Sequence, residues 1–345
     1  MSGRLAPTTA CALLSLSLFS CTTTGGGGEN VAVAPAQPIV DPAPRPGAPV
    51  VLIAMPSSSE FVDVRRTLVA EIRKNFNVST YVVAPSTSSK DFGDVLAKVA
   101  PKCVVVMNNG TVNLLREVQH ARASAGPVPP TVVVMSSFLE ELRPTLTNAT
   151  GIAYEVPGVT AFINLRSISR APLKRVGVVY RPLFRSFIER QERLAAREQI
   201  ELVKTELPKD FSADQLRAAL QGLLVDKHVD ALWMLNDNGL IRSREFLDQS
   251  WRAVLRDTRV PLIVGVPNLI DAQSPLGSIA VVPDHDALGL QTANLIFDLS
   301  SEGWQAQTHD VELPLSVKTV VDVKQVSGTV GLKDDALRHI DKAVE

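Results

Sequence analysis

Val50-Val51-Leu52-Ile53-Ala54-Met55, followed by Pro56-Ser57-Ser58-Ser59-Glu60, decides the fold. Six apolar residues run without the polar alternation of a half-exposed strand, which predicts a strand covered on both faces. Phe61, Val64, Leu68, Ile72 and Phe76 follow at helical spacing, and Ser57 and Glu60, three apart, fit a capping box at that helix's start. Strand, polar loop and amphipathic helix form one βα unit. The unit repeats: strands at Tyr81–Ala84, Val104–Met107 and Thr131–Met135, with helices at Asp91–Val99 and Thr111–Ser124. Repeated βα order predicts an α/β fold with a parallel sheet and right-handed crossovers.

The pattern restarts after Gly151. Helices are predicted over 159–168, 185–198, 241–255 and 286–299, with another opened by Ser212 and Gln215 as a second capping box. Strands are predicted over 175–180, 201–205, 231–235, 262–266 and 279–282, then short strands at Val311–Leu315 and Thr319–Val323 and a last helix at Leu337–Val344. Two successive βα sheets without a long linker predict two similar lobes.

Upstream of Val50 the texture differs. Residues 22–49 hold Gly25 to Gly28 and then Pro35, Pro38, Pro42, Pro44, Pro46 and Pro49, the composition of a disordered tether. Before it, Arg4 precedes an apolar stretch ending in Leu18-Phe19-Ser20-Cys21, the layout of a secretory signal. This ending resembles the bacterial lipobox, which implies cleavage before Cys21 and lipidation of Cys21. An ordinary signal peptide containing a cysteine, or an uncleaved anchor, is the alternative. The stretch falls short of the ~20 residues of a spanning helix.

Of the three cysteines, Cys11 lies in the signal and lipobox segment, residues 1–21, and would leave on cleavage before Cys21, while Cys21 would be acylated, so Cys103 has no disulfide partner. It opens the run Cys103–Met107, which favours a buried small hydrophobe over a reactive thiol. Lys plus Arg number 35 and Asp plus Glu 36. With charges balanced and unclustered, and aromatics at 5%, nucleic acid is not an expected partner.

Nucleophile elbow, P-loop, His-Glu-x-x-His and Cys-x-x-Cys patterns are absent. Asp284-His285-Asp286 resembles a metal cluster, but its place before a helix favours N-capping. No enzyme, cofactor or metal is therefore expected. The loops after the strands are polar: Ser57-Ser58, Asn108-Asn109-Gly110-Thr111, Ser136-Ser137, Tyr180-Arg181 and Asn236-Asp237-Asn238. In open α/β sheets ligands settle at such rims. Ser57, Ser58, Asn109, Gly110, Thr111, Ser136, Ser137, Tyr180, Asp237 and Asn238 are the candidate ligand-binding residues. Each alone is equally well a cap or turn residue.

From about Val50 to Leu332 the chain resembles the ABC-transporter substrate-binding lipoproteins of the aromatic-amino-acid type. The resemblance rests on Val176-Gly177-Val178-Val179-Tyr180, Asp230-Ala231-Leu232-Trp233 with Asp237-Asn238, Asp284 with Leu288-Gly289 and Thr292-Ala293, Gly110-Thr111, Thr150-Gly151, and Val321-Asp322-Val323 with Gly331-Leu332. It implies a two-lobed type I periplasmic-binding fold, each lobe a parallel sheet flanked by helices. Lobe 1 would span 50–155 and lobe 2 156–283; 284–310 would return to lobe 1, and 311–345 would supply closing strands and the terminal helix. It also implies that Asp237 accepts hydrogen bonds from a ligand ammonium or hydroxyl. Three positions depart from the family. Arg181 stands where Asn is usual, Ser136-Ser137-Phe138 replaces an Asp-Pro, and His285 and Asp286 replace two aromatics.

The expected function is a lipid-anchored solute receptor on the periplasmic side of a bacterial envelope, closing on an amino-acid-like or other polar metabolite and serving an ABC permease. The alternative is an envelope lipoprotein that uses the fold for protein–protein interaction or to regulate an envelope enzyme. Thr22, in place of the Asp that commonly signals inner-membrane retention, permits an outer-membrane address.

Overall fold

The computed structural model describes residues 39–121, 128–256, 258–270 and 276–344. The expected signal, Cys21 and the glycine-rich part of the expected tether lie outside the described residues. Among the described residues no helix is long and apolar enough to cross a membrane.

Lobe 1 is built from β1 (Val50–Met55), α1 (Ser59–Ile72), β2 (Asn77–Val82), α2 (Ser89–Val99), β3 (Cys103–Met107), α3 (Asn109–Ala121), β4 (Thr131–Val134), α4 (Leu139–Leu142) and β5 (Ala149–Gly151). Its sheet has the order β2-β1-β3-β4-β5, all parallel. The apolar run of β1 is buried from both sides. Val51, Ile53 and Met55 enter one core, while Leu52 and Ala54 enter another with Phe92 of α2 and Val112 and Leu115 of α3. Each of these side chains larger than Ala54 contributes roughly 1.5–3 kcal/mol on burial. Cys103 lies in the first of these cores, and burial pushes its thiol up to about 12. It is the buried hydrophobe the sequence favours.

Lobe 2 comprises α5 (Gly158–Ile168), β6 (Arg175–Tyr180), α6 (Arg185–Arg197), β7 (Glu201–Glu206), α7 (Ala213–Gln221), β8 (Ala231–Trp233), α8 (Arg244–Leu247), α9 (Ala253–Leu255), β9 (Leu262–Val264) and β10 (Ile279–Pro283). A π-helical turn at Asp248–Arg252 joins α8 to α9. The chain then crosses to lobe 1 as α10 (His285–Ser301) and re-enters lobe 2 with β11 (Val317–Asp322), α11 (Val323–Thr329) and β12 (Lys342–Val344). The second sheet has the order β12-β11-β10-β9-β8-β6-β7. One pair breaks the parallel rule: β10 and β11 are antiparallel, with Pro283 opposite Val317. The detour through α10 leaves and re-enters the sheet at the same rim, so β11 must run back along β10.

α10 docks on α1, placing Leu288, Leu295, Ile296 and Leu299 in one core with Val64, Leu68 and Ile72. Gly289 permits the close approach, since a Cβ there would stand 2.5 Å from the Val64 carbonyl oxygen.

Five local expectations change. The strand expected at Tyr81–Ala84 is β2, which starts four residues earlier, at Asn77, and ends at Val82. Ser57 and Glu60 form no capping box: Ser58 is the N-cap, and Ser58 and Ser59 donate their hydroxyls to the Glu60 carboxylate instead. The Ser212–Gln215 box does form. Val311–Leu315 is not a strand; within it Glu312 makes an isolated bridge to Ile152. The terminal helix over 337–344 is instead a 3-10 turn, Ala336–His339, followed by β12, because the open edge of β11 offers ladder partners to Lys342–Val344. Residues 39–49, expected to continue the tether, are docked on lobe 1. Asp41 accepts from Arg65 (2.6 Å) and from the Thr80 N–H (2.7 Å), pairing a guanidinium that would otherwise be buried alone.

Candidate functional site

The C-terminal ends of β3, β4, β6 and β8 bring their loops to one gap between the lobes. A cleft of about 600 Å³ opens there, within the range of small-molecule sites. Lobe 1 supplies Asn109, Gly110, Met135, Ser137 and Phe138; lobe 2 supplies Arg181, Phe184, Asn236, Asp237 and Asn238, and Tyr154 comes from the crossover. Five candidate residues therefore meet in it: Asn109, Gly110, Ser137, Asp237 and Asn238. Ser57, Ser58 and Thr111 line an adjoining pocket of about 480 Å³, which shares Asn108 and Gly110 with the cleft.

Two candidates stand apart. Ser136 is fully buried and donates its hydroxyl to Asn109 Oδ1 (3.1 Å). Tyr180 ends β6 beside Glu206; burial, then Glu206, raises its phenol above the usual range. Asn109 lines the cleft with its side-chain amide already engaged. Its Oδ1 accepts the Ser137 N–H (2.7 Å) and its Nδ2 donates to the Ser137 carbonyl (3.0 Å), so it ties the β3 loop to the β4 loop.

Asp237 does not present a free carboxylate. Arg181 donates Nε–H to its Oδ2 (2.7 Å) and Nη2–H to its Oδ1 (2.5 Å), and the Gly239 N–H donates to Oδ1 (2.8 Å). The Asp237 side chain is 2% exposed and that of Arg181 22%. The bidentate fork is the strong form of this pair. Its hydrogen bonds hold the Arg181 guanidinium above its ordinary pKa. Gly239 makes room for it, because a Cβ there would lie 2.6 Å from Arg181 Nε. The cation thus sits where the resemblance placed a ligand ammonium.

Phe138 crosses the gap. Its ring lies 4.3 Å from that of Phe184 and 5.3 Å from that of Phe187. The backbone at Phe138 is left-handed (φ 58°), as at Met135 (φ 54°), a conformation that costs a bulky residue about 1–3 kcal/mol. Beside it, Arg190 of α6 pairs with Glu140 (2.8 Å) and Glu141 (2.7 Å) of α4. Glu155, on the crossover, accepts the Phe138 N–H at Oε2 (2.8 Å), while its Oε1 is buried without a hydrogen-bond partner. Burial pushes this carboxyl up to about 7. Tyr154 meets His285 (Oη to Nε2, 3.2 Å). Burial holds the Tyr154 phenol up at about 12 and the His285 imidazole below its usual value. Asp284 caps α10 by accepting from the Asp286 N–H (3.1 Å), as expected.

Phe138, Tyr154, Glu155 and Arg190 were not singled out in the sequence. Phe138 alone had a signal, as the aromatic that follows Ser136-Ser137 at a strand end.

No family model matches the chain, and no curated protein matches it. Solved structures do. A substrate-binding protein with adhesive properties from Clostridium difficile, in its ligand-free, open form, aligns with TM-score 0.63 at 12% identity, over 86% of this chain and 99% of that one. A conserved domain protein from Vibrio cholerae O1 biovar eltor aligns with TM-score 0.54 at 16% identity, over 86% and 99%. An ABC domain in complex with L-Trp from Streptococcus pneumonia aligns with TM-score 0.52 at 13% identity, over 86% and 100%. The likeness is one of fold. The chain has the two-lobed α/β architecture of type I periplasmic-binding proteins.

Proposed function

We propose that the chain is an extracytoplasmic solute-binding protein of the ABC-transporter type, holding a small polar ligand between its lobes. One observation carries this reading: the cleft of about 600 Å³ where the C-terminal rims of both sheets meet. Binding there needs no catalytic group, cofactor or metal. A ligand touching both rims selects one hinge arrangement over others. Lipid at Cys21 would tether the protein to the envelope, and an ABC permease is the partner that would read the lobe arrangement. The fold shared with substrate-binding proteins, one of them in complex with L-Trp, supports this assignment. A screen of polar metabolites by thermal unfolding tests it. At least one should raise the melting temperature, and Asn238→Ala should reduce that rise; no shift across the screen would remove the reading.

A second reading, a docking lipoprotein of the envelope, is favoured by the Phe138 and Arg190 contacts, which join the lobes directly. Cross-linking in cells separates the two. A permease partner supports the receptor, and a cell-wall or assembly protein supports the docking role.

A further inference from the structure

We propose that the ligand of this cleft is a small organic carboxylate with an apolar body, received by the open edge of Arg181. The inference rests on the solute-binding reading above and names its ligand class.

The argument begins with charge. Two carboxylates line the cleft, Asp237 and Glu141. Asp237 is taken by Arg181 and Gly239, and Glu141 by Arg190. An incoming ammonium would find no free anion and would face a guanidinium. Arg181 has a spare edge: Nε and Nη2 serve Asp237, while Nη1 makes no hydrogen bond among the described residues. The guanidinium is also held in place, bidentate on Asp237, against the Gly239 backbone and 5.8 Å from the Phe184 ring centroid. A fixed, partly desolvated guanidinium is suited to a planar carboxylate.

The facing wall agrees. α3 begins at Asn109; the Val112 N–H donates to the Asn108 carbonyl (3.1 Å) and the Thr111 N–H to Asn108 Oδ1 (2.9 Å). The Asn109 and Gly110 N–H groups are left at the positive end of the helix. In the adjoining pocket Thr111, 1% exposed, keeps a buried hydroxyl with no partner. Positive poles of both lobes thus bound one gap. Met135, Leu183, Phe184 and Tyr154 supply the apolar surface for the rest of the molecule.

Calorimetry on the full chain tests this with matched triplets. Each aliphatic or aromatic carboxylate is compared with the primary amide and the amine of the same body. The expected result is one-to-one binding of at least one carboxylate, with its amide about tenfold weaker or worse and its amine unbound. Arg181→Gln should abolish the preference. Because that change strands a buried Asp237, the double variant Arg181→Gln with Asp237→Asn, a neutral pair, is measured beside it and should also lose carboxylate selectivity. Equal or tighter binding of an amide or amine overturns the carboxylate assignment and leaves the solute-binding reading standing. Full selectivity in the folded double variant overturns the role of Arg181. Absence of binding across all triplets overturns both.

Discussion

Phe138 of lobe 1 packs on Phe184 of lobe 2 with ring centroids 4.3 Å apart and planes tilted by 37°, so the two halves of the fold touch through an aromatic pair at the margin of the cleft. Such a pair is worth about 0.5–1.5 kcal/mol beyond the area it buries. This offsets left-handed backbone strain of similar size at Phe138. Phe138→Ala should therefore loosen the lobes more than it destabilises either core. The expected outcome is a larger radius of gyration by small-angle scattering, with a loss of unfolding free energy below the roughly 3–5 kcal/mol of a fully buried Phe→Ala change, because Phe138 is only partly buried. An unchanged radius would assign Phe138 to packing alone.

Glu155 should make stability depend on pH. Its carboxyl is raised from 4.5 to about 7 by burial, so the folded state binds more protons than the unfolded state between those values. Stability is then fully present below about pH 4.5 and declines as pH rises through about 7. The shift corresponds to roughly 3 kcal/mol at most. Glu155→Gln keeps an acceptor for the Phe138 N–H and removes the charge. The variant should lose this pH slope and be the more stable protein at pH 8. Parallel denaturation curves for the two proteins from pH 4 to 8 would count against the assignment.

The docking of α10 on α1 rests on Gly289. A Cβ at that position meets the Val64 carbonyl at 2.5 Å and Thr67 Cβ at 2.9 Å, both on α1. Gly289→Ala should destabilise by about 1–3 kcal/mol through overpacking. Gly328→Ala, in α11 with nothing within 4 Å of the new Cβ, is the control. It should be neutral or slightly stabilising, because Ala outranks Gly in a helix. Chemical denaturation measures both. Equal effects would show that the helix contact tolerates a methyl group.

The inner strands of both lobes were readable because they are buried from both sides, which removes polar alternation and leaves runs such as Val50–Met55 and Val104–Met107; the half-covered edge strand β2, at Asn77–Val82 and not Tyr81–Ala84, lacks that signal. Tertiary features were not readable. β12 exists because β11 has an open edge, which the residues of 342–344 do not announce. Asp41 is ordered because Arg65, in α1, needs an anion. Asn109, Ser137, Asp237 and Asn238, which follow strands in the sequence, line the cleft, since position after a strand is a local property. Whether a rim group is free is not local. Asp237 and Arg181 stand 56 residues apart in sequence, and only the fold brings the guanidinium onto the carboxylate. Phe138 and Glu155 escaped for the same reason, as their roles come from contact with the opposite lobe or the crossover.

Native mass spectrometry of the chain, after exposure to whole metabolite extract, asks most directly whether the gap between the lobes holds a solute. The account predicts one small molecule per chain, its occupancy reduced by Asn238→Ala. A spectrum of bare protein from every extract, with the Phe138 contact intact in solution, would contradict it and leave the two lobes as a docking surface.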